Sequence, residues 1–229
     1  MGLFKNMDEF LISPFENLLE VRVMKVILVN GSPHKNGCTY AALSEVAKTL
    51  NEEGIETEIF NLAGKDILPC RVCGACSKIG KCVIDDAVNE FTALAKEADG
   101  FVFGTPIHYA APSALIKAFM DRAFFSGKGI FTFKPAACIA SARRAGTTAA
   151  FDELNKYFAI SQMPIISSKY WNMVYGSKAE DVKKDEEGLQ IMRALGRNMA
   201  WFLKLKQAGD KLGVQLPKQE EPIKTSYIR

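Results

Sequence analysis

Short, almost continuously apolar runs alternate with stretches of helical periodicity along most of this chain. Such runs are typical of parallel strands that helices cover on both faces of a sheet. We predict five strands, at residues 26–29, 56–60, 100–103, 136–140 and 164–167. Apolar residues at helical spacing predict helices around residues 43–50, 88–95, 115–120 and 147–158, and a long fifth helix that ends near Lys206. The alternation therefore predicts an α/β fold with a doubly wound, five-stranded parallel sheet.

The first loop of this predicted sheet narrows the choice among doubly wound folds. Residues 30–39 read Asn-Gly-Ser-Pro-His-Lys-Asn-Gly-Cys-Thr. They contain neither the Gly-x-Gly-x-x-Gly motif of dinucleotide-binding sheets nor the Gly-Lys-Ser/Thr motif of P-loop proteins. We therefore predict the flavodoxin-like strand order 2-1-3-4-5 in preference to a Rossmann-like order.

The length and composition suit one domain with short extensions. The chain has 229 residues, 48% of them hydrophobic, which is enough to bury a core. We interpret residues 1–23 as an N-terminal extension, residues 24–208 as the folded domain and residues 209–229 as a polar C-terminal tail.

A net charge of +3 argues against a nucleic-acid partner. The acidic N-terminus is unlike a signal peptide and no apolar run could span a membrane, so we expect a cytoplasmic protein.

Four cysteines form the most specific chemical motif of the chain: Cys70, Cys73, Cys76 and Cys82. Two-residue gaps allow three thiolates to converge from one turn, and Gly74 and Gly80 supply the backbone freedom that such a turn needs. This set predicts the ligands of a [4Fe–4S] cluster. A zinc ion or a loop without metal is the alternative, although zinc usually takes two cysteine pairs with a longer insert. Two disulfides are disfavoured because the cytosol is reducing.

Hydroxyls and backbone amides gather where the first predicted helix begins. Ser32, Thr39 and the amides of residues 36–39 can bind a phosphate dianion, which the helix dipole also favours. His34 or Lys35 could add positive charge. The sequence therefore predicts a site for a mononucleotide phosphate here. The alternative is that residues 36 and 39 only cap the helix.

Two further loops are expected at the same edge of the sheet. Residues 104–112 follow the third strand, which together with the first strand flanks the switch point of the sheet. They can place amides and a flat side chain against an aromatic ring system, although ordinary loop packing is the alternative for His108 and Tyr109.

Residues 141–148 follow the fourth strand and bring Arg143 and Arg144 to the rim of the same crevice. A cation or amide donor there would stabilise the anion of a reduced flavin, with an exposed surface position as the alternative.

Together these segments resemble the NAD(P)H-dependent FMN reductases of flavodoxin-like fold, and within them the iron–sulfur flavoproteins. The resemblance covers about residues 24–176 and rests on residues 24–33, 70–86, 98–109, 115–122 and 143–147. It implies that FMN is the cofactor and that its phosphate contacts Ser32, His34, Asn36, Cys38 and Thr39. It implies isoalloxazine contacts at Thr105, Pro106, Ile107, His108 and Tyr109, and contacts at the edge of the ring from Ser141, Arg143, Arg144 and Gly146.

The resemblance also implies a homodimer or homotetramer in which a neighbouring subunit closes the flavin pocket. Two positions depart from the usual pattern of the family. His34 stands where arginine is common and Cys38 stands where asparagine is common. The phosphate would therefore depend more on backbone amides in this chain.

The activity expected from these features is that of an FMN-dependent oxidoreductase. It would take hydride from NAD(P)H and reduce a small acceptor such as a quinone, a nitroaromatic compound or free flavin. We assign no side chain as a catalytic acid or base, because the flavin supplies the chemistry. A [4Fe–4S] cluster would exchange single electrons with a ferredoxin-like partner. The alternative is a non-enzymatic electron carrier or redox sensor that holds the same cofactors.

Overall fold

The structure is a computed structural model that describes residues 22–227. Its centre is a sheet of six strands: β1 (Lys25–Asn30), β2 (Glu56–Asn61), β3 (Gly100–His108), β4 (Ala111–Pro112), β5 (Ala136–Ala142) and β6 (Met173–Tyr175). The order is β2-β1-β3-β5-β6, and every pair along this path is parallel. The predicted α/β class and parallel sheet are confirmed.

The prediction of five strands in the order 2-1-3-4-5 needs correction. Tyr109 and Ala110 both have positive φ, 49° and 59°, which is the backbone of a tight two-residue hairpin turn. This turn sends the chain back along β3 as the short antiparallel strand β4. The sheet therefore has six strands, with the order 2-1-3-5-6 and β4 attached to β3 alone.

The last strand also lies further along the chain than the predicted one at residues 164–167. Pairing there is limited to one bridge, between Ile165 and Ala136. It stops after Ile166 and resumes at Asn172, whose carbonyl accepts a hydrogen bond of 2.9 Å from the amide of Ala140. β6 follows directly, so the loop that leaves this strand begins at residue 176.

Helices cover both faces of the sheet: α1 (Cys38–Glu52), α2 (Cys76–Ile79), α3 (Ala87–Glu97), α4 (Ala114–Ser126), α5 (Thr147–Ile160), α6 (Ala179–Val182) and α7 (Glu186–Lys211). Alternate residues of β1 enter two separate cores, since Ile27 packs with α3, α4 and α5 while Leu28 packs with α1 and α7. This is the period-two burial expected of a doubly wound sheet. Helix α7 runs five residues beyond the predicted end.

Close packing joins the ends of β1 and β3. The Gly31 amide donates to the carbonyl oxygen of Gly104 at 2.9 Å. A Cβ on Gly31 would lie 2.7 Å from that oxygen and 2.7 Å from Cβ of Ile116, a distance that real contacts do not tolerate. The absence of a side chain at Gly31 therefore brings the loops after β1 and β3, and the start of α4, to one place.

The structure describes only part of the two predicted extensions. The predicted N-terminal extension lies outside the described residues except for Arg22 and Val23. In the predicted tail, residues 210–227 are exposed and contain no strand, and residues 212–227 contain no helix. Among residues 22–227, no helix combines the length and apolar character needed to cross a bilayer.

Candidate functional site

A crevice of about 750 Å³ opens at the carboxyl ends of β1, β3 and β5. Parallel α/β sheets usually bind ligands at this place, and the volume suits a cofactor. Nine of the residues predicted as cofactor contacts line it: Ser32, His34, Asn36, Cys38, Thr39, Pro106, Ile107, Ser141 and Arg143. The structure therefore brings most of the three predicted loops into one site.

The first loop is held by Asn30, a completely buried residue that we did not predict as part of the site. Its amide nitrogen donates to the carbonyls of His34 and Lys35, both at 3.3 Å, and to Asn61 at 2.8 Å. Its oxygen accepts from the amide of Ser32 at 3.2 Å. Because one side chain forms hydrogen bonds with both arms of the loop, it fixes the curvature of the loop.

The start of α1 opens into this crevice without a capping side chain. The N-cap residue is Gly37, and no described side chain caps this helix end. The alternative of simple capping by Asn36 or Thr39 is therefore not what the structure contains. The first amides of a helix lack partners within the helix and sit at the positive end of its dipole. This helix start is chemically suited to a phosphate group.

Both hydroxyls of this loop have partners within the protein. Ser32 Oγ accepts from the amide of His34 at 3.1 Å. The hydroxyls of Thr39 and Ser141 lie 2.8 Å apart and both side chains are buried. They therefore tie the loop after β1 to the loop after β5, in addition to facing the crevice.

Five predicted contact residues lie beside the crevice rather than in its lining: Thr105, His108, Tyr109, Arg144 and Gly146. The hydroxyl of Thr105 is buried and accepts from the amide of Ser113 at 3.0 Å. Tyr109 is fully exposed at the tip of the β3–β4 hairpin. Gly146 begins α5 with φ of 94°, and an added Cβ would lie 2.5 Å from Cα of Ala110. Contact of these five residues with a flavin stays a prediction.

A fourth wall of the crevice was missed in the sequence. Residues 176–180, which run from the end of β6 into the first turn of α6, complete the lining and contribute Lys178 and Glu180. Cys38 Sγ donates to the carbonyl of Gly176 at 3.4 Å, and burial is the main cause that raises the pKa of this thiol. The misplaced last strand hid this loop, because a strand ending at residue 167 does not lead into it.

The four loop cysteines surround a second cavity of about 150 Å³. Among the described residues, no group of three or more Cys, His, Asp or Glu side chains is arranged to hold a metal ion. The cavity is several times the volume of a water molecule, about 30 Å³. Four thiols around such a space fit a polyatomic iron–sulfur group.

Arg122 forms one wall of this cysteine cavity and was not predicted as a site residue. Its side chain is 1% exposed and forms an ion pair with Asp86. Asp86 also caps α3 by accepting from the amide of Val88 at 3.0 Å. Burial alone would lower the pKa of Arg122, but hydrogen bonds with Asp86 and Cys82 raise it, so the guanidinium is charged.

The strand order and the crevice at the carboxyl ends of the strands define a flavodoxin-like α/β protein. Solved structures support this fold. One is RosB with bound 8-demethyl-8-formylriboflavin-5'-phosphate, with TM-score 0.65 and 15% identity over 90% of this chain and 94% of that chain. Another is a flavodoxin from the domain Archaea, with TM-score 0.56 and 15% identity over 79% of this chain and 99% of that chain.

The chain belongs to the NADPH-dependent FMN reductase family, whose family model matches residues 24–178. An iron-sulfur flavoprotein of Methanocaldococcus jannaschii is 34% identical over 190 residues, which cover 80% of this chain and 98% of the relative. An iron-sulfur flavoprotein of Archaeoglobus fulgidus is 30% identical over 78% of this chain and 96% of the relative. The resemblance identified in the sequence is confirmed.

Proposed function

We propose that this protein is an FMN-dependent oxidoreductase that takes hydride from NAD(P)H and transfers electrons to a small acceptor. The observation that carries the proposal is the open N-terminus of α1 in a crevice of about 750 Å³. The family to which the chain belongs supports the same cofactor and reaction type. An uncapped helix start suits the phosphate, and the remaining volume suits a ring system beside it.

The residues of the crevice have separable tasks in this proposal. The amides of residues 37–39 would bind the phosphate, with Lys35 as a nearby cation and His34 beside it. Pro106 and Ile107 would position the ring, and Arg143 would place positive charge at its edge. When bound, FMN supplies the hydride-accepting group, so the protein has to bind, orient and shield it.

We also propose that the four loop cysteines hold a [4Fe–4S] cluster. The number and type of the ligands, together with the cavity that they share, support this assignment. The relatives named iron-sulfur flavoproteins support it as well. Zinc is the alternative, although it usually takes two cysteine pairs with a longer insert.

The assembly of the protein is proposed to be a homodimer or homotetramer. Tyr109 is fully exposed at the hairpin tip beside the crevice, and a large aromatic side chain in this position is suited to packing against a neighbouring subunit. Light scattering should therefore give a mass of about two or four times the chain mass of 25.3 kDa. A monomer at micromolar concentration would contradict this part of the proposal.

The cofactor and the reaction can be tested together. Anaerobically purified protein is titrated with FMN, and NADH and NADPH oxidation is then followed with a quinone or nitroaromatic acceptor. We expect saturable FMN binding and turnover that requires FMN. Failure to bind FMN would overturn the proposal.

A second candidate function is an electron carrier or redox sensor. The exposure of Cys73 on the cysteine loop favours it, because electrons could pass there to another protein. FMN binding without NAD(P)H oxidation above background would support the carrier and contradict the enzyme. Analysis of iron, acid-labile sulfide and zinc in the same samples tests the cluster, which zinc without iron or sulfide would exclude.

A further inference from the structure

Arg122 is the most unusual buried side chain in the described structure. It is the largest among the completely buried side chains, and it carries a charge that is costly to remove from water. Its nitrogens donate to Asp86, Cys82 and the carbonyls of Leu68 and Ile84. All the partners except Asp86 lie within or beside the cysteine loop, so the guanidinium connects α4 to that loop.

Two of these hydrogen bonds converge on the sulfur of Cys82. Nε lies 3.3 Å and Nη2 lies 3.2 Å from Cys82 Sγ. Within residues 22–227, no comparable donor reaches the sulfur of Cys70, Cys73 or Cys76, and the Cys76 thiol itself donates weakly to the carbonyl of Phe125. One of the four proposed ligands is therefore distinguished from the others by a charged, two-pronged donor.

Asp86 partly offsets the positive charge of this donor. It accepts from both terminal nitrogens of Arg122, at 3.0 Å in the contact of Oδ1 with Nη2. It is also fixed by its capping bond to the amide of Val88. The charge next to Cys82 thus comes from a cation and an anion that the backbone holds in place, in a region of low dielectric.

We propose that Arg122 is a positioning residue that raises the reduction potential of the cluster through its hydrogen bonds to Cys82, and that Asp86 lowers this effect. The inference rests on the proposed cluster. One-electron reduction adds a negative charge to a cluster and its ligand sulfurs. Hydrogen-bond donors and positive charge at a ligand sulfur stabilise the reduced form more than the oxidised form.

The proposal is tested by measuring cluster potentials in anaerobic spectroelectrochemical titrations, with electron paramagnetic resonance of the reduced cluster. In Arg122→Gln we expect a shift to more negative potential, by at least about tenfold in the reduction equilibrium, or about 59 mV for one electron. Arg122→Lys keeps the charge but loses the fork geometry, so its potential should lie between those of Arg122→Gln and wild type. Asp86→Asn keeps a side chain that can cap α3 and should shift the potential in the positive direction.

Lys117→Gln is the matched control. It removes one positive charge from the same helix, at a side chain that pairs with Glu153 and does not line the cysteine cavity. Its potential should match that of wild type. Opposite shifts in Arg122→Gln and Asp86→Asn would support the proposal, because a merely structural role would lower cluster content in both variants.

Several results would overturn the proposal. One is a set of unchanged potentials with full cluster content, and another is a shift of Arg122→Gln and Asp86→Asn in the same direction. If Arg122→Gln holds no cluster, the potentials of Arg122→Lys and Asp86→Asn test the proposal in its place.

Wild-type protein without iron and sulfide would overturn both the proposed cluster and this inference, whereas a wild-type cluster with unchanged variants would overturn the inference alone. The FMN titration is independent of all these outcomes.

Discussion

At the scale of single residues, the first loop uses side chains and backbone for different tasks. The hydroxyl of Ser32 accepts from the amide of His34 within the loop, and that of Thr39 bonds to Ser141 after β5. The side chain of Asn30 donates to two carbonyls of the loop. The amides at the start of α1 are left as the groups that face the crevice. Phosphate binding should therefore depend on local charge at the helix start more than on any one hydroxyl.

The variant Asn36→Asp tests this dependence on charge. Asn36 is exposed and lines the crevice, so the change adds a carboxylate beside the proposed phosphate with almost no change in shape. We expect FMN affinity to fall about tenfold, or about 1.4 kcal/mol, with no loss of riboflavin affinity. Flavin fluorescence titrations measure both affinities.

Asn51→Asp is the control for this variant, because it makes the same change at the other end of α1. It should leave the affinity for FMN near the wild-type value. Equal losses for FMN and riboflavin in Asn36→Asp would contradict the placement of the phosphate.

Gly31 gives a prediction about stability at the same scale. In Gly31→Ala the new Cβ meets the backbone oxygen of Gly104 at 2.7 Å, and neither strand end can move without disturbing the sheet. We expect the free energy of unfolding to fall by about 1–3 kcal/mol. Gly209→Ala in α7 meets no atom nearer than 3.7 Å and should raise stability by about 0.5–1 kcal/mol. Urea unfolding measures the free energy of unfolding of both variants. An unchanged value for Gly31→Ala would contradict the importance of this close contact.

At the scale of elements, α4 connects the two candidate sites. Its N-cap, Ser113, donates to the carbonyl of Gly31 below the crevice at 2.8 Å. About two and a half turns after Ser113, Arg122 contacts the cysteine loop. A 13-residue helix spans about 20 Å, so one rigid element supports both places. Changes at either end of α4 should therefore affect the stability of the domain as a whole.

The variant Ser113→Ala tests the cap of this helix. The hydroxyl is buried, accepts from the amide of Ile116 at 3.2 Å and donates to Gly31. Its removal leaves two backbone groups without that partner, and we expect a loss of about 1–3 kcal/mol in the free energy of unfolding. Ser44→Ala is the matched control, because the hydroxyl of Ser44 has one partner among residues 22–227, the carbonyl of Tyr40 within α1, and alanine favours a helix interior. Equal effects in both variants would contradict the importance of the cap.

At the scale of the whole molecule, the six cysteines occupy three environments. Cys138 is buried in the sheet and burial strongly raises the pKa of its thiol, so it should be unreactive. Cys38 is partly exposed at the crevice, and the other four surround the second cavity. Reactivity therefore reports on the fold and on the cysteine loop at the same time.

Alkylation with iodoacetamide, followed by mass spectrometry, tests this arrangement. In anaerobic protein with its cluster and without FMN we expect only Cys38 to react, and slowly, because burial also raises the pKa of its thiol. After the iron is removed with a chelator, the four loop cysteines should react as well, and Cys138 should react only after unfolding. Labelling of Cys138 in the native state at the rate of the loop cysteines would contradict the fold. Full labelling of the loop in protein as purified would contradict the cluster.

Local patterns along the chain predicted the parts of the fold that depend on local spacing. The apolar runs of β1, β3 and β5 were read correctly because burial on both faces removes nearly all polar residues from a strand. The edge strand β2 was also predicted, although Phe60 is its one buried residue. The run at residues 164–167 was misread because a short apolar stretch does not reveal where its partner strand continues. The hairpin at Tyr109 was missed because Tyr and Ala rarely adopt positive φ, so neither residue indicates such a turn.

The sequence by itself determined the class of fold, the three loops at one edge of the sheet and the group of four cysteines, because each depends on periodicity or on close spacing. Only the tertiary structure decided which polar groups meet across long separations. Arg122 lies 40 residues from Cys82, and Cys38 lies 138 residues from Gly176. Such contacts arise from the packing of helices and strands that are distant in the chain. Local residue patterns carry no signal for them.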